Sequence, residues 1–114
     1  MSELGAERKR TIARNEALFR EVNERVEEVS GGAALEATDF LCECGNADCT
    51  QSIVLFEHEY EQLRSDPLLF AIAPGHEIED VEDIVSENDR FRTVRKREDA
   101  AAIARHTDPR KKSE

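Results

Sequence analysis

The sequence predicts an α+β fold in which a long N-terminal helix precedes a small domain of about three to four short antiparallel strands and short helices. Two observations carry this reading. Apolar residues recur at helical spacing through residues 1–30 and stop at Gly31-Gly32. From Ala37 onward the apolar runs are short, rich in β-branched residues and punctuated by Gly, Pro and Asn.

In the helix, Ile12, Phe19, Val22, Val26 and Val29 step by seven, three, four and three, the a/d spacing of a heptad seam, with Asn15 at the remaining d position. Leu18 and Ala17 widen the stripe, and Glu16, Arg20, Glu21, Glu24, Arg25 and Glu28 are expected on a charged outer face. Glu16 with Arg20 and Glu21 with Arg25 have the i,i+4 order that supports an isolated helix. Paired glycines suit a helix C-cap, so residues 31–36 are expected to form a hinge. Two roles are open for the seam. It packs on the chain's own domain, or it pairs with another copy or another protein, with Asn15 setting the register.

Residues 37–106 are expected to form the small domain. Phe40 to Cys44 reads as a strand that places Cys42 and Cys44 on one face and Glu43 on the other. Gly45-Asn46-Ala47-Asp48 is turn chemistry, and Gln51 to Phe56 is the returning strand of a hairpin. Glu57 to Ser65 reads as a helix with acids at its start and Arg64 near its end, as the macrodipole favours. Leu68 to Ala73 is the next strand, followed by the Pro74-Gly75 turn. Ile78, Val81, Ile84 and Val85 suggest a short helix or irregular segment. Phe91 to Lys96 reads as a weakly patterned edge strand, and Asp99 to Arg105 as a last short helix. Residues 107–114 have the composition of a charged, disordered tail.

The chemistry of the sequence sits in Cys42-Glu43-Cys44-Gly45-Asn46-Ala47-Asp48-Cys49, a C-x-C-x4-C cluster that holds all three cysteines of the chain. Three thiols so close together are hard to explain as packing. Zinc takes four ligands in a tetrahedron, chiefly thiolate and imidazole, so the cluster reads as a zinc site in need of one more donor. His76, presented by the turn Ala73-Pro74-Gly75-His76-Glu77, is the leading candidate. His58 is the rival but stands between two glutamates, and His106 lies near the tail. A redox role is the alternative for the thiols, although an odd number disfavours a closed pair. If His76 closes the tetrahedron the metal is structural. If a water takes the fourth position, Glu77 or Glu43 would be the general base of a hydrolase. The sequence supplies no second half for such a catalytic site: there is no H-E-x-x-H, no G-x-S-x-G and no phosphate-binding glycine loop.

Charge limits the partners. The net charge is −10, with charged residues at 37%. Residues 67–89 carry seven acids and no base, and residues 90–97 carry five bases and no acid. An acidic body argues against a broad phosphate-binding surface, because nucleic-acid affinity rests on Lys and Arg. The exceptions are the Arg110-Lys111-Lys112 tail and the strip containing Arg90, Arg92, Arg95, Lys96 and Arg97. Either offers an anion contact to nucleic acid or a ribonucleoprotein, or else the strip pairs with the acidic segment before it. The longest apolar run, Pro67 to Pro74, is about eight residues against the ~20 needed to span a bilayer. Nothing near Met1 resembles the apolar core of a secretory signal. The expectation is a cytoplasmic protein without membrane contact, in a compartment that keeps thiols reduced.

The runs Asn15-Glu16-Ala17-Leu18-Phe19-Arg20-Glu21-Val22-Asn23-Glu24-Arg25-Val26, the cysteine cluster, Glu59-Tyr60-Glu61-Gln62-Leu63-Arg64 and Phe70-Ala71-Ile72-Ala73-Pro74-Gly75-His76-Glu77 occur in that order. Together they resemble a family of short bacterial proteins, chiefly actinobacterial, and the resemblance extends over roughly residues 12–97. It implies that Cys42, Cys44, Cys49 and His76 belong to one signature and that the long helix is integral to the protein. It implies little about activity. The expectation is therefore a small zinc-stapled interaction or regulatory module, with a redox-responsive zinc switch and a nucleic-acid binder as alternatives.

Overall fold

The computed structural model describes residues 3–30, 37–78 and 81–110. Along them run α1 (Glu3–Ser30), β1 (Ala37–Leu41), β2 (Ser52–Phe56), α2 (Glu57–Arg64), β3 (Leu69–Ile72), β4 (Glu82–Glu87), β5 (Arg92–Lys96) and α3 (Glu98–His106). β1 and β2 form an antiparallel hairpin, and a second antiparallel sheet has the order β3-β5-β4. The α+β class and the long first helix are as the sequence suggests. The expected hinge, residues 31–36, lies outside the described residues, as do residues 111–114.

Three elements differ from expectation. The strand expected over Phe40 to Cys44 ends at Leu41, because the next residues cross between sheets. Cys42 N–H donates to Gln51 O of the hairpin at 2.9 Å, and Glu43 N–H donates to Ala71 O of β3 at 2.8 Å. The segment read as helix or irregular around Ile84 and Val85 is strand β4. Its two apolar residues face solvent, and the ladder is interrupted between Ile84 and Ser86, so neither alternation nor burial marks it as a strand. β5, read as an edge strand, is the centre of its sheet. It is hydrogen-bonded on both sides and buries Thr93, Val94 and Lys96, which is why its apolar pattern is weak.

The main core joins the hairpin, α2 and the three-stranded sheet through Phe40, Ile53, Leu55, Tyr60, Phe70 and Ile72. Phe40 and Tyr60 stack with ring centroids 4.4 Å apart. Glu59 steadies the start of α2 by reaching back to the Phe56 N–H at 2.9 Å, satisfying one of the free donors of a helix N-terminus.

α1 packs on this body, and largely through polar groups. Ile12 and Ala13 meet Val81 and Ala100 in a small apolar cluster that brings α1 close to α3. Glu16 and Arg20, expected on the outer face, are instead only 1% exposed. Arg20 donates to Pro67 O at 2.7 Å, Ala104 O at 2.9 Å and Thr107 Oγ1 at 3.1 Å, and its guanidinium lies 4.6 Å above the Phe70 ring. Burying a guanidinium is costly unless its donors find partners; both terminal nitrogens of Arg20 do so, while its buried Nε has none. Asn23 donates to Leu41 O at 2.8 Å and accepts from Leu41 N–H at 2.8 Å.

The heptad seam is divided as a result. Ile12 is buried, Asn15 donates to Gly45 O at 2.9 Å, Phe19 is half-buried and Val26 packs on the core, while Val22 and Val29 remain exposed. Nor is the start of the tail loose, as its composition suggested. Thr107 Oγ1 donates to Ile103 O at 2.7 Å, and Arg110 donates to Glu24 and to Glu61, each contact within 3.1 Å. Among the described residues, no helix is long and apolar enough to cross a membrane.

Candidate metal centre

Two turns and the crossing segment assemble the cluster. The Ala73–His76 turn is closed by His76 N–H donating to Ala73 O at 3.0 Å, with Gly75 at φ 88°. Proline followed by a residue of positive φ is the requirement of a type II turn, and glycine meets it without strain. The second turn is closed by Cys49 N–H donating to Asn46 O at 3.0 Å, and the Asn46 side chain accepts from Asp48 N–H at 2.9 Å. Cys42 and Cys44 are buried, while Cys49 and His76 are half-buried.

The ligand atoms of Cys42, Cys44, Cys49 and His76 all lie within 4.8 Å of one another. His76 Nδ1 is 3.5 Å from Cys42 Sγ and 3.7 Å from Cys49 Sγ. A tetrahedron with zinc–sulfur bonds of about 2.3 Å and zinc–nitrogen bonds of about 2.0–2.1 Å has a sulfur–nitrogen edge of about 3.6 Å. The set therefore has the spacing of four ligands around one ion, and it could hold a metal.

No protein-family model, curated protein or solved structure matches this chain. The chemistry of the site is therefore argued from its own residues.

Backbone donors favour anionic sulfur here. Ala73 N–H donates to Cys42 Sγ at 3.1 Å, and the Cys44 and Asn46 amides donate to Cys42 and Cys44 respectively. The two buried thiols share a hydrogen bond. That bond, then burial, pushes Cys42 well above the ordinary thiol range. The same bond draws Cys44 down to about 4, against the opposing effect of burial. This lowering favours the thiolate, the form in which cysteine ligates metal.

Glu43, between the first two cysteines, points away from the ligand atoms. One carboxylate oxygen accepts from Arg64 at 2.9 Å and from Ala71 N–H at 3.0 Å, and the other accepts from Asn23 at 2.7 Å. Glu77 is held by Arg92 at 2.8 Å. Both carboxylates considered as a general base are therefore engaged elsewhere. His58 lies exposed on α2 with its ring stacked on Phe56, and His106 is exposed at the end of α3; neither joins the cluster.

The basic strip is neutralised residue by residue. Arg90 meets Glu59 at 2.8 Å, Arg92 meets Glu77 and Glu87, Arg95 meets Asp66 at 2.7 Å and Arg97 meets Asp83 at 2.6 Å. Lys96 points the other way and is buried between Glu16 and Glu82. Burial, the largest influence, pushes Glu16 up to about 7 against the pull of Lys96 and lowers Lys96.

Sequence reasoning missed these buried polar groups, because hydrophobic periodicity registers only apolar side chains. One signal was present. Ala13 and Ala17 stand one turn apart on the face carrying Glu16 and Arg20, and small residues allow α3 to approach closely. A second acidic cluster, Glu27, Glu57 and Glu61, was also missed; its carboxylate oxygens gather within 4.8 Å. Hydrogen bonding to Glu61 raises Glu27 to about 8, and Arg110 holds Glu61 down to about 2.

Proposed function

We propose that this chain is a small cytoplasmic zinc protein whose metal is structural and whose surface serves as an interaction or regulatory module. The carrying observation is that three sulfurs and one imidazole nitrogen converge within 4.8 Å of one another, with two sulfur–nitrogen separations of 3.5 and 3.7 Å, close to a tetrahedral edge. Four protein donors leave no position for a reacting water, and this supports a structural role over a hydrolytic one. Zinc is the metal we favour, because it accepts a mixed thiolate and imidazole set and needs no redox chemistry. Three thiolates around a divalent ion carry a net charge of roughly −1, which the amides directed at sulfur offset.

The position of the cluster supports a staple. Cys42 bonds to the hairpin while its neighbour Glu43 bonds to β3, so a metal here joins two sheets that share no strand pairing. With every strip arginine facing a carboxylate, the interaction reading is better supported than nucleic-acid binding. Chelation followed by circular dichroism tests the proposal. Removing the metal should melt the fold and zinc should restore it; a fold that survives complete metal removal would count against the staple.

The partial exposure of Cys49 favours a second reading of the same centre, in which oxidation releases the metal. Both readings share the four ligands and differ in whether release has a purpose.

A further inference from the structure

One face of α1 leaves large apolar side chains uncovered. Leu18 is 56% exposed, Val22 41% and Val29 84%. Val22, Arg25, Val26 and Val29 line a shallow apolar hollow. Those four positions are i, i+3, i+4 and i+7, the four residues that form a hole in knobs-into-holes packing. Leu18 stands one turn before the hollow and projects as a knob.

We propose that this face docks a second copy of the chain, with the two α1 helices antiparallel about a two-fold axis near Val22. Two features are compatible with one register. In an isologous pair each residue faces one partner position, and the two residue numbers have a constant sum. Seating Leu18 in the partner's hollow, centred between Arg25 and Val26, makes that sum about 43 to 44. The flank beside the stripe carries Arg14, Glu21, Arg25 and Glu28, all exposed. Read backwards this order of charges is its own complement. At a sum of 44 Arg14 stands two residues, about 3 Å along the axis, from the partner copy's Glu28, and Glu21 as far from its Arg25 (sums of 42 and 46), offsets that these long side chains span. Antiparallel helices place like flanks on the same side, so apolar fit and charge fit are satisfied by one arrangement. Within one chain Arg25 and Glu28 lie only 3.9 Å apart at high exposure, a weak contact that pairing across the axis can replace.

This inference rests on the reading of the protein as an interaction module and names its partner. It is tested by sedimentation equilibrium of the full-length, zinc-loaded protein over a range of concentrations up to about 1 mM, the weak end of specific association. A reversible dimer is expected, and Leu18→Glu should weaken it by at least about tenfold while leaving zinc content and circular dichroism unchanged. Arg14→Glu should weaken it by about two- to tenfold, and the charge-swapped double variant Arg14→Glu with Glu28→Arg should restore it. A monomer throughout, a dimer indifferent to Leu18→Glu, or a face that takes up only vesicles or a different protein would overturn the proposal. Zinc content is measured on the same samples. A zinc-loaded monomer therefore rejects the dimer alone, whereas a zinc-free protein rejects the metal reading.

Discussion

The carboxylate of Glu43, flanked in sequence by two cysteines of the candidate metal cluster, lies 2.9 Å from the guanidinium of Arg64, and both side chains are sealed from solvent. This pair ties the ligand loop to α2. Through the other carboxylate oxygen and Asn23 it also reaches α1. The segment that supplies two sulfurs is thus held on its opposite face by charge-assisted hydrogen bonds, which are the stronger kind.

Replacing one partner of a buried pair leaves the other charge uncompensated. Glu43→Ala is expected to cost about 3–5 kcal/mol in urea unfolding of the metal-loaded protein. Because the loop it steadies carries two ligands, metal affinity should fall by about 10- to 100-fold in competition with a chromogenic chelator. Wild-type stability and affinity in this variant would show that the pair is dispensable.

Gly45 packs against Ile12 of α1 without room for a side chain. A Cβ placed there would stand 2.3 Å from Ile12 Cγ2, closer than two carbons can come without movement. Gly45→Ala should destabilise by about 1–3 kcal/mol, the usual cost of overpacking. In a double-mutant cycle with Ile12→Ala the combined loss should be smaller than the sum, because the second change makes room for the first. Additive losses would place the strain elsewhere.

The buried trio of Lys96, Glu16 and Glu82 should leave a signature in pH dependence. Glu16 rises from 4.5 to about 7 in the folded state, so between those values the native protein binds more protons than the unfolded chain. Its contribution is therefore fully present below pH 4.5 and is lost as pH rises through 7, with a slope of at most about 1.4 kcal/mol per unit. Glu16→Gln removes that slope. Measured by urea unfolding, the stability of Glu16→Gln relative to wild type should climb from pH 4.5 to 7 and then level off. A constant difference would mean that Glu16 titrates normally.

The cluster that could hold a metal was legible in the sequence, whereas most of what secures it was not. Clustered cysteines and a histidine set by Pro74-Gly75 announce themselves, because each residue type has few other reasons to be there. Arg20, Glu43 and Arg64 look like ordinary surface charges in sequence. Their burial depends on partners far along the chain, such as Ala104 for Arg20. Strand β4 was misread for a related reason: its acids lower strand propensity, and Ile84 and Val85 face water. The heptad seam located the helix but not its buried face, since hydrogen bonds as well as apolar contacts hold α1.

Oxidation should begin at Cys49, the one cysteine not fully buried. Peroxide would convert its thiolate to a sulfenic acid with loss of hydroxide. A neighbouring thiolate would then displace a second hydroxide to form a disulfide, two thiolates losing two electrons to the peroxide while the metal leaves. Sulfenate trapping and mass spectrometry should find Cys49 modified first, in step with metal release. First modification at Cys42 or Cys44 would contradict this order.

X-ray absorption at the zinc edge, combined with elemental analysis of the purified protein, tests the central claim most directly. One zinc per chain is expected, with three sulfurs at about 2.3 Å and one nitrogen at about 2.0–2.1 Å. The nitrogen should be lost as an imidazole signal in His76→Ala and retained in His58→Ala. Protein without metal and with three freely titrating thiols, or a shell whose nitrogen survives His76→Ala, would contradict the assignment.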